Sequence, residues 1–280
     1  MGINEKALKN RIKTVGATMH ITKAMELVAA SKLRKATERM QGARAFSHEL
    51  EEAFSALIKR NSETDSVFLR PGSSDSTCFV VIAGDRGLAG GYNSNIFRLA
   101  ESVPHGERII LPIGKKACEH FAARGDTLLT DKYSLIGEVT LADCGDIGRL
   151  LADGFRSGTF GEVYIIHTRF RSLLSQIPSS DRLLPLTVKE SETPEKGFVL
   201  YEPDSVSVFE SIVPEYLGGV VYGGICESFV CENAARRMAM DAATRNATDM
   251  IDSLTLKYNR ARQASITQEI TEIIGGAGEN

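Results

Sequence analysis

Tryptophan is absent from the 280 residues, aromatic side chains make up only 7%, and the 8 prolines all lie between Pro71 and Pro214. Both ends of the chain are therefore free of the strongest helix breaker. No apolar run approaches the ~18 residues of a membrane-spanning helix. The start, MGINEKALKN, has neither an apolar h-region nor an Arg/Ser-rich transit pattern, so any membrane association is expected to be peripheral or through partners. The five cysteines are odd in number, include no CxxC pair and sit mostly in apolar surroundings such as STCFVV. That argues against a disulfide framework and for a reducing compartment. With 42% hydrophobic and 25% charged residues the chain is neither disordered nor collagenous, and it has enough apolar material for one large domain or two small ones.

The net charge of −3 is a sum of unlike parts. Residues 1–60 carry 12 basic against 6 acidic side chains, 61–204 carry 15 against 20, and 205–280 carry 6 against 10. A basic first segment suits nucleic acid, an anionic membrane surface or an acidic protein partner, and charge alone does not choose among them.

Three textures follow one another. In residues 1–60, steps of three and four from Ile12 land on Val15, Met19, Thr22, Glu26, Ala29, Leu33, Ala36, Met40, Ala43, Ser47, Leu50, Phe54 and Leu57, and 11 of these 14 positions are apolar. This is a coiled-coil seam, and about 55 helical residues make a rod of about 80 Å. Many seam residues are small, which permits close approach of a partner helix. Residues 61–204 change to short β-branched runs bounded by Gly and Pro. Strands are expected at Thr77–Ala83, Arg108–Ile113, Glu162–Thr168, Leu183–Val188 and Phe198–Tyr201, with helices near Asn93–Glu101, Lys115–Arg124 and Leu141–Ser157. That order predicts a partly parallel, Rossmann-like α/β domain with helices on the sheet faces. Residues 205–280 return to helix, with a seam of Ala247, Ile251, Leu254, Tyr258, Ala261 and Ser265, an expected stop at Gly275-Gly276, and a kink or late start near Pro214. The fold expected is α/β: a long antiparallel coiled coil of the N- and C-terminal helices, pairing residue 20 with about residue 255, plus the central domain. Such distant pairing closes late in folding.

The most enzyme-like string is Gly84-Asp85-Arg86-Gly87-Leu88-Ala89-Gly90-Gly91, directly after the first strand. A glycine loop there can bring backbone amides to a phosphate. It matches neither GxGxxG nor GxxxxGK[ST], no acidic ribose partner ends the next strand, and a tight strand-to-helix turn accounts for the glycines more simply. His20, His48, His105, His120 and His167 have no metal-binding spacing, and no GxSxG elbow or electropositive cysteine occurs. Catalytic groups, a metal and a cofactor are therefore not expected. The basic string Lys23…Lys32-Leu33-Arg34-Lys35 has no interleaved aromatics to stack on bases, which disfavours nucleic acid.

Three strings, ITKAMELVAASKLRKA at 21–36, GDRGLAGGYN at 84–93 and LTLKYNRARQASITQEITEIIGGA at 254–277, resemble the γ subunit of F-type ATP synthases, in order and at the expected spacing. The resemblance implies a noncatalytic rotary shaft that couples proton flow to ATP synthesis or hydrolysis at the β subunits. It implies as partners three α and three β subunits around the shaft, with the ε subunit and the membrane c ring at its foot. The location implied is the cytoplasmic face of the bacterial plasma membrane, reached only through partners. Carried over position by position, it implies subunit contact or coupling at Lys23 and Met25, and at Arg237, Gln263, Thr267, Glu269 and Glu272. The chloroplast form's closely spaced regulatory cysteines have no counterpart between Ile177 and Leu217, and Ser172–Asp181 has no assigned role. Two rivals remain on the residues alone. One is a nucleotide-binding α/β enzyme with helical extensions, resting on the loop at 84–91, and the other is a basic coiled-coil adaptor on nucleic acid.

Overall fold

The computed structural model describes residues 2–60, 66–104, 106–187, 202 and 204–277. Two helices dominate it. Helix α1 runs over Gly2–Arg60 and α5 over Ser205–Ala277. Between them, in chain order, come a 3-10 turn at Val67–Leu69, β1 (Thr77–Ile82), α2 (Tyr92–Ser102), β2 (Arg108–Ile113), α3 (Lys115–Arg124), β3 (Thr127–Leu128), α4 (Leu141–Arg156), β4 (Glu162–Phe170) and β5 (Gln176–Leu184). The chain divides into two compact units, residues 31–235 and residues 1–30 with 236–280, and both long helices contribute to each.

The 31–235 unit is built on one sheet in the order β3-β2-β1-β4-β5, parallel except for β5, which returns antiparallel along β4. Every residue of β1 is buried, as a central parallel strand covered on both faces requires. On one face Phe79, Val81, Ile110 and Ile166 meet Ile96 and Ala100 of α2 and Ala117 and Phe121 of α3. On the other, Val80, Ile82, Leu111 and Ile165 meet Ile147 and Leu151 of α4 and Leu217, Val221 and Ile225 of α5, with Phe54 of α1 in the same cluster. The sheet is thus roofed by the chain's two terminal helices as well as by its own crossovers.

Local signals explain the boundaries. Thr140 caps α4 through a reciprocal capping box with Asp143, which also holds the Asp143 carboxyl below its ordinary range. Gly125 closes α3 at φ 77°, a conformation glycine adopts without steric cost. Helices α4 and α5 touch backbone to backbone: a Cβ on Gly148 would lie 2.0 Å from the Pro214 carbonyl oxygen, and one on Gly218 would lie 2.6 Å from that of Cys144.

The structure departs from the sequence expectations at several places. The strand expected at Leu183–Val188 is instead β5, Gln176–Leu184, because its polar run QIPSSDR forms an edge strand that an apolar search passes over. The stretch Ser172–Asp181 is accordingly the turn and most of β5. The expected strand Phe198–Tyr201 lies outside the described residues. Helix α5 begins at Ser205 with Pro214 inside it, so the start is not delayed. It continues through Gly275-Gly276 to Ala277, since glycine weakens a helix without forbidding it.

The coiled-coil seam is observed where periodicity puts it. Ala29, Leu33, Ala36, Met40, Ala43 and Phe54 are buried, and every other α1 seam residue whose exposure is described is half-buried. In the 31–235 unit Leu33, Ala36, Met40 and Ala43 pack on Cys226, Val230 and Ala234 of α5. In the other unit Thr22 Oγ1 lies 2.8 Å from Thr244 Oγ1, and Thr248 Oγ1 lies 3.5 Å from Met19 Sδ. The helices are antiparallel, but residue 20 therefore falls opposite about residue 247, some two turns nearer the chain centre than expected.

Candidate functional site

The loop at 84–91 is the first place to look for chemistry, and its polar groups are already engaged. The Gly84 N–H donates to Asn93 Oδ1 at 2.9 Å, and the Arg86 N–H donates to Glu232 Oε1 at 3.4 Å. Glu232, on α5, is buried to 2% exposure and lies so close that a Cβ on Gly84 would be 2.7 Å from its carboxylate. Asp85 Oδ1 accepts the N–H of Lys115, the first residue of α3, at 3.3 Å and that of Ile136 at 2.9 Å. Asp85 thus caps the N-terminus of α3 and Glu232 takes one amide of the loop, while α2, the helix that follows the loop, has Gly91 at its N-cap and no side-chain cap. Leu88, with φ 60°, and Gly90, with φ 58°, provide the left-handed steps of the turn. The loop is a fastener between the sheet and α5.

No group of three His, Cys, Asp or Glu side chains among the described residues is placed to hold a metal ion. All five cysteines are free. Burial pushes the thiols of Cys78 and Cys144 up to about 12 and that of Cys231 higher still, which leaves them unreactive.

What the chain does present is surface on its two long helices. On α1, Lys23 is exposed and paired with Glu26 at 3.0 Å, while Met25 is half-buried on the opposite flank of the seam. Met25 belongs to a stripe at helical spacing with Ile21 and Val28, which are 61% and 57% exposed. Arg237 of α5 is half-buried and, by the Thr22–Thr244 register, lies within about two turns of Lys23 and Met25 along the stalk. The other four expected positions are elsewhere. Gln263, Thr267, Glu269 and Glu272 are all exposed near the end of α5; the same register sets Gln263 level with the first turn of α1 and carries Thr267, Glu269 and Glu272 beyond it. The Thr267 hydroxyl donates to the Gln263 carbonyl at 2.9 Å; Gln263, Thr267 and Glu269 border the stripe of Ile266, Ile270, Ile273 and Ile274, whereas Glu272 lies on a flank turned away.

The sequence reading missed these four isoleucines and the Ile21–Val28 stripe. Their signal was available as apolar residues that do not fall on the seam. Every residue from Ile266 to Ile274 is exposed, so these turns of α5 carry an apolar face that no described residue buries.

The family model described as ATP synthase matches residues 4–278. An ATP synthase gamma chain from Ruminococcus albus is 44% identical over 96% of both chains. The chain belongs to the ATP synthase gamma-chain family. A second gamma-chain relative, from Acetobacterium woodii and described as sodium ion specific, is 35% identical over 99% of each chain. The rotor of the Euglena gracilis mitochondrial ATP synthase shares the fold, with a TM-score of 0.63 at 16% identity over 95% of this chain and 100% of that one. In this family the gamma chain is the noncatalytic stalk subunit, and the occupied loop at 84–91 is in keeping with that role. The loop's contacts with Asn93 and Glu232 give its start a structural role that the nucleotide-binding enzyme reading does not require. Among the described residues no helix is long and apolar enough to cross a membrane.

Proposed function

We propose that this gamma chain turns inside a ring of three α and three β subunits, with its foot on the ε subunit and the membrane c ring at the cytoplasmic face of a bacterial plasma membrane. Ion flow through the c ring, with protons as the coupling ion, drives the rotation. Each orientation shifts a β subunit between open and closed forms only to the extent that the shaft meets the two forms with different free energy. An asymmetric shaft supplies that difference, and the side chains proposed to carry it are Lys23, Met25, Arg237, Gln263, Thr267, Glu269 and Glu272. The basic run Lys23–Lys35 suits an acidic lever on β, where exposed ion pairs give orientation with little adhesion.

The observation that supports this reading best is the bare apolar end of α5. Four isoleucines that no described residue buries are costly in water and favourable in a close apolar sleeve, such as a ring of subunits provides. The test is to assemble the complex with the chain truncated after Leu254 and to measure ion-driven ATP synthesis. Loss of coupling with the complex still assembled is expected, and unchanged coupling would remove the role given to the tip. Purified complex must also contain one copy of this chain per three β subunits.

A further inference from the structure

The stretch Ser172–Asp181 has no role in the shaft as described so far, and its first part is built against the usual chemistry of turns. The turn that joins β4 to β5 reads Arg171-Ser172-Leu173-Leu174-Ser175. Turn centres favour Gly, Asn, Asp and Ser, yet this one carries two leucines, 44% and 79% exposed. Its backbone is closely tied. The N–H groups of Arg171 and Ser172 donate to the Ser175 carbonyl at 3.2 and 3.0 Å, and the Ser175 N–H donates to the Ser172 carbonyl at 3.2 Å and to its hydroxyl at 3.1 Å. The Gln176 side-chain amide donates to the Leu173 carbonyl at 2.6 Å and to that of Ser172 at 3.2 Å. These bonds order the chain beneath both leucines while their apolar surface stays in water, which is the arrangement of a preorganised contact. A local choice that opposes turn chemistry, with no packing in the described residues to offset it, points to a partner.

The direction of the tip narrows the choice of partner. Strand β4 runs beside α5 in the same sense: a Cβ on Gly224 would lie 3.0 Å from Ile165 Cδ1, the Thr168 N–H donates to Ser228 Oγ at 3.3 Å, and Phe170 packs with Cys231 and Ala235. Phe170 also packs on the cluster that joins Leu33 and Ala36 of α1 to Val230 and Ala234 of α5. The turn follows directly, so it projects at the end of the 31–235 unit where α1 and α5 leave it, opposite the end where β1, β2 and β4 start. The basic run of α1 reaches this end at Lys32, Arg34 and Lys35, all exposed, and Arg171 adds an exposed guanidinium that makes no ion pair among the described residues.

We infer that the Leu173–Leu174 tip docks on a β subunit of the surrounding ring, with the leucines in an apolar hollow and a carboxylate of that subunit facing Arg171. This rests on the shaft reading, which sets the ring at the exit of the two helices and the ε subunit, the c ring and the membrane at the far end. The tip continues, on the central domain, the contact with β given to the basic run Lys23–Lys35. A turning chain offers it to each β subunit in succession, and it favours whichever form of β presents the hollow.

The test uses the complete complex, purified and reconstituted in vesicles of phosphatidylethanolamine and phosphatidylglycerol. With the photo-reactive p-benzoylphenylalanine in place of Leu174, irradiation is expected to link this chain to β. The same group in place of Glu107, exposed at the opposite end of the sheet, is expected to give no link to β. Leu174→Ser is expected to lower ion-driven ATP synthesis roughly fivefold, and to leave the thermal midpoint of the isolated chain within about 1 °C because so exposed a side chain contributes little to the fold. Links from position 174 to α, ε, the c ring or lipid, the absence of any link, or unchanged synthesis in Leu174→Ser would overturn the inference. A complex that holds one copy of this chain per three β subunits and gives no link from position 174 overturns the docking alone, whereas a chain that does not enter the complex overturns the shaft reading with it.

Discussion

At the scale of single residues, the glycines divide into those the packing requires and those it does not. Gly148 sits where α4 meets α5, and any Cβ there would press on the Pro214 carbonyl at 2.0 Å, whereas a Cβ on Gly87 would meet nothing within 4 Å. Gly148→Val is therefore expected to cost about 3 kcal/mol in chemical denaturation, and Gly87→Val well under 1 kcal/mol. Because the loop's amides and the α3 N-terminus are held by Glu232, Asn93 and Asp85, ATP titrated onto the isolated chain is expected to show no micromolar saturable binding, and Gly87→Val to change nothing in that titration. Asp181 gives a pH signature. Its hydrogen bonds with His167, Arg169 and Ser179 hold its carboxyl well below the usual carboxylate range. A depressed carboxylate contributes stability above its unfolded value, about 3.9, and that contribution is lost as the pH falls through the folded value. Denaturation midpoints measured from pH 5 down to pH 2 should fall less steeply in Asp181→Asn than in the unaltered chain.

At the scale of elements, the two long helices combine stretches that are held by packing with a stretch that is not. Met40 is 3% exposed between Leu33, Ala43 and the α5 residues Cys226 and Val230, so Met40→Ala leaves a cavity and is expected to destabilise the chain by about 2 to 4 kcal/mol. Residues 266–274 are all exposed, and no described residue buries them. Truncation after Ser265 should leave the thermal midpoint of the isolated chain within about 2 °C of its full-length value while abolishing ion-driven synthesis in the complex. A tip that worked by stabilising its own chain would instead lower both together.

At the scale of the molecule, the chain joins a tightly packed unit to a sparsely packed one. The 31–235 unit buries a sheet on both faces and fastens α5 to it through Glu232 and through Tyr92, whose hydroxyl donates to the Ser228 carbonyl at 3.1 Å. In the other unit the buried apolar residues are Ala29, Met240, Ala247 and Leu254. Amide exchange is therefore expected to be slowest in β1 and in α5 near 221–234, faster around 244–254, and fastest over 266–274, a gradient readable by mass spectrometry on the full-length chain.

The sequence by itself determined the elements whose cause is local or periodic. Seam spacing marked the buried face of α1, Thr140 and Asp143 fixed the start of α4, Gly125 fixed the end of α3, and the apolar runs of β1, β2 and β4 identified the sheet. Three motif strings also carried the family. The tertiary structure alone decided what depends on distant partners. Register is one such feature, because a repeat of three and four residues looks the same after a shift of two turns, and only the Thr22–Thr244 contact fixes it. The edge strand β5 is another, since its pairing to β4 and not its own composition makes QIPSSDRLL extended. The meaning of the glycine loop is a third. Its spacing left a phosphate site and a tight turn both open, and what the loop does in the fold is decided by Glu232, a side chain almost 150 residues away that accepts the Arg86 amide and packs against Gly84.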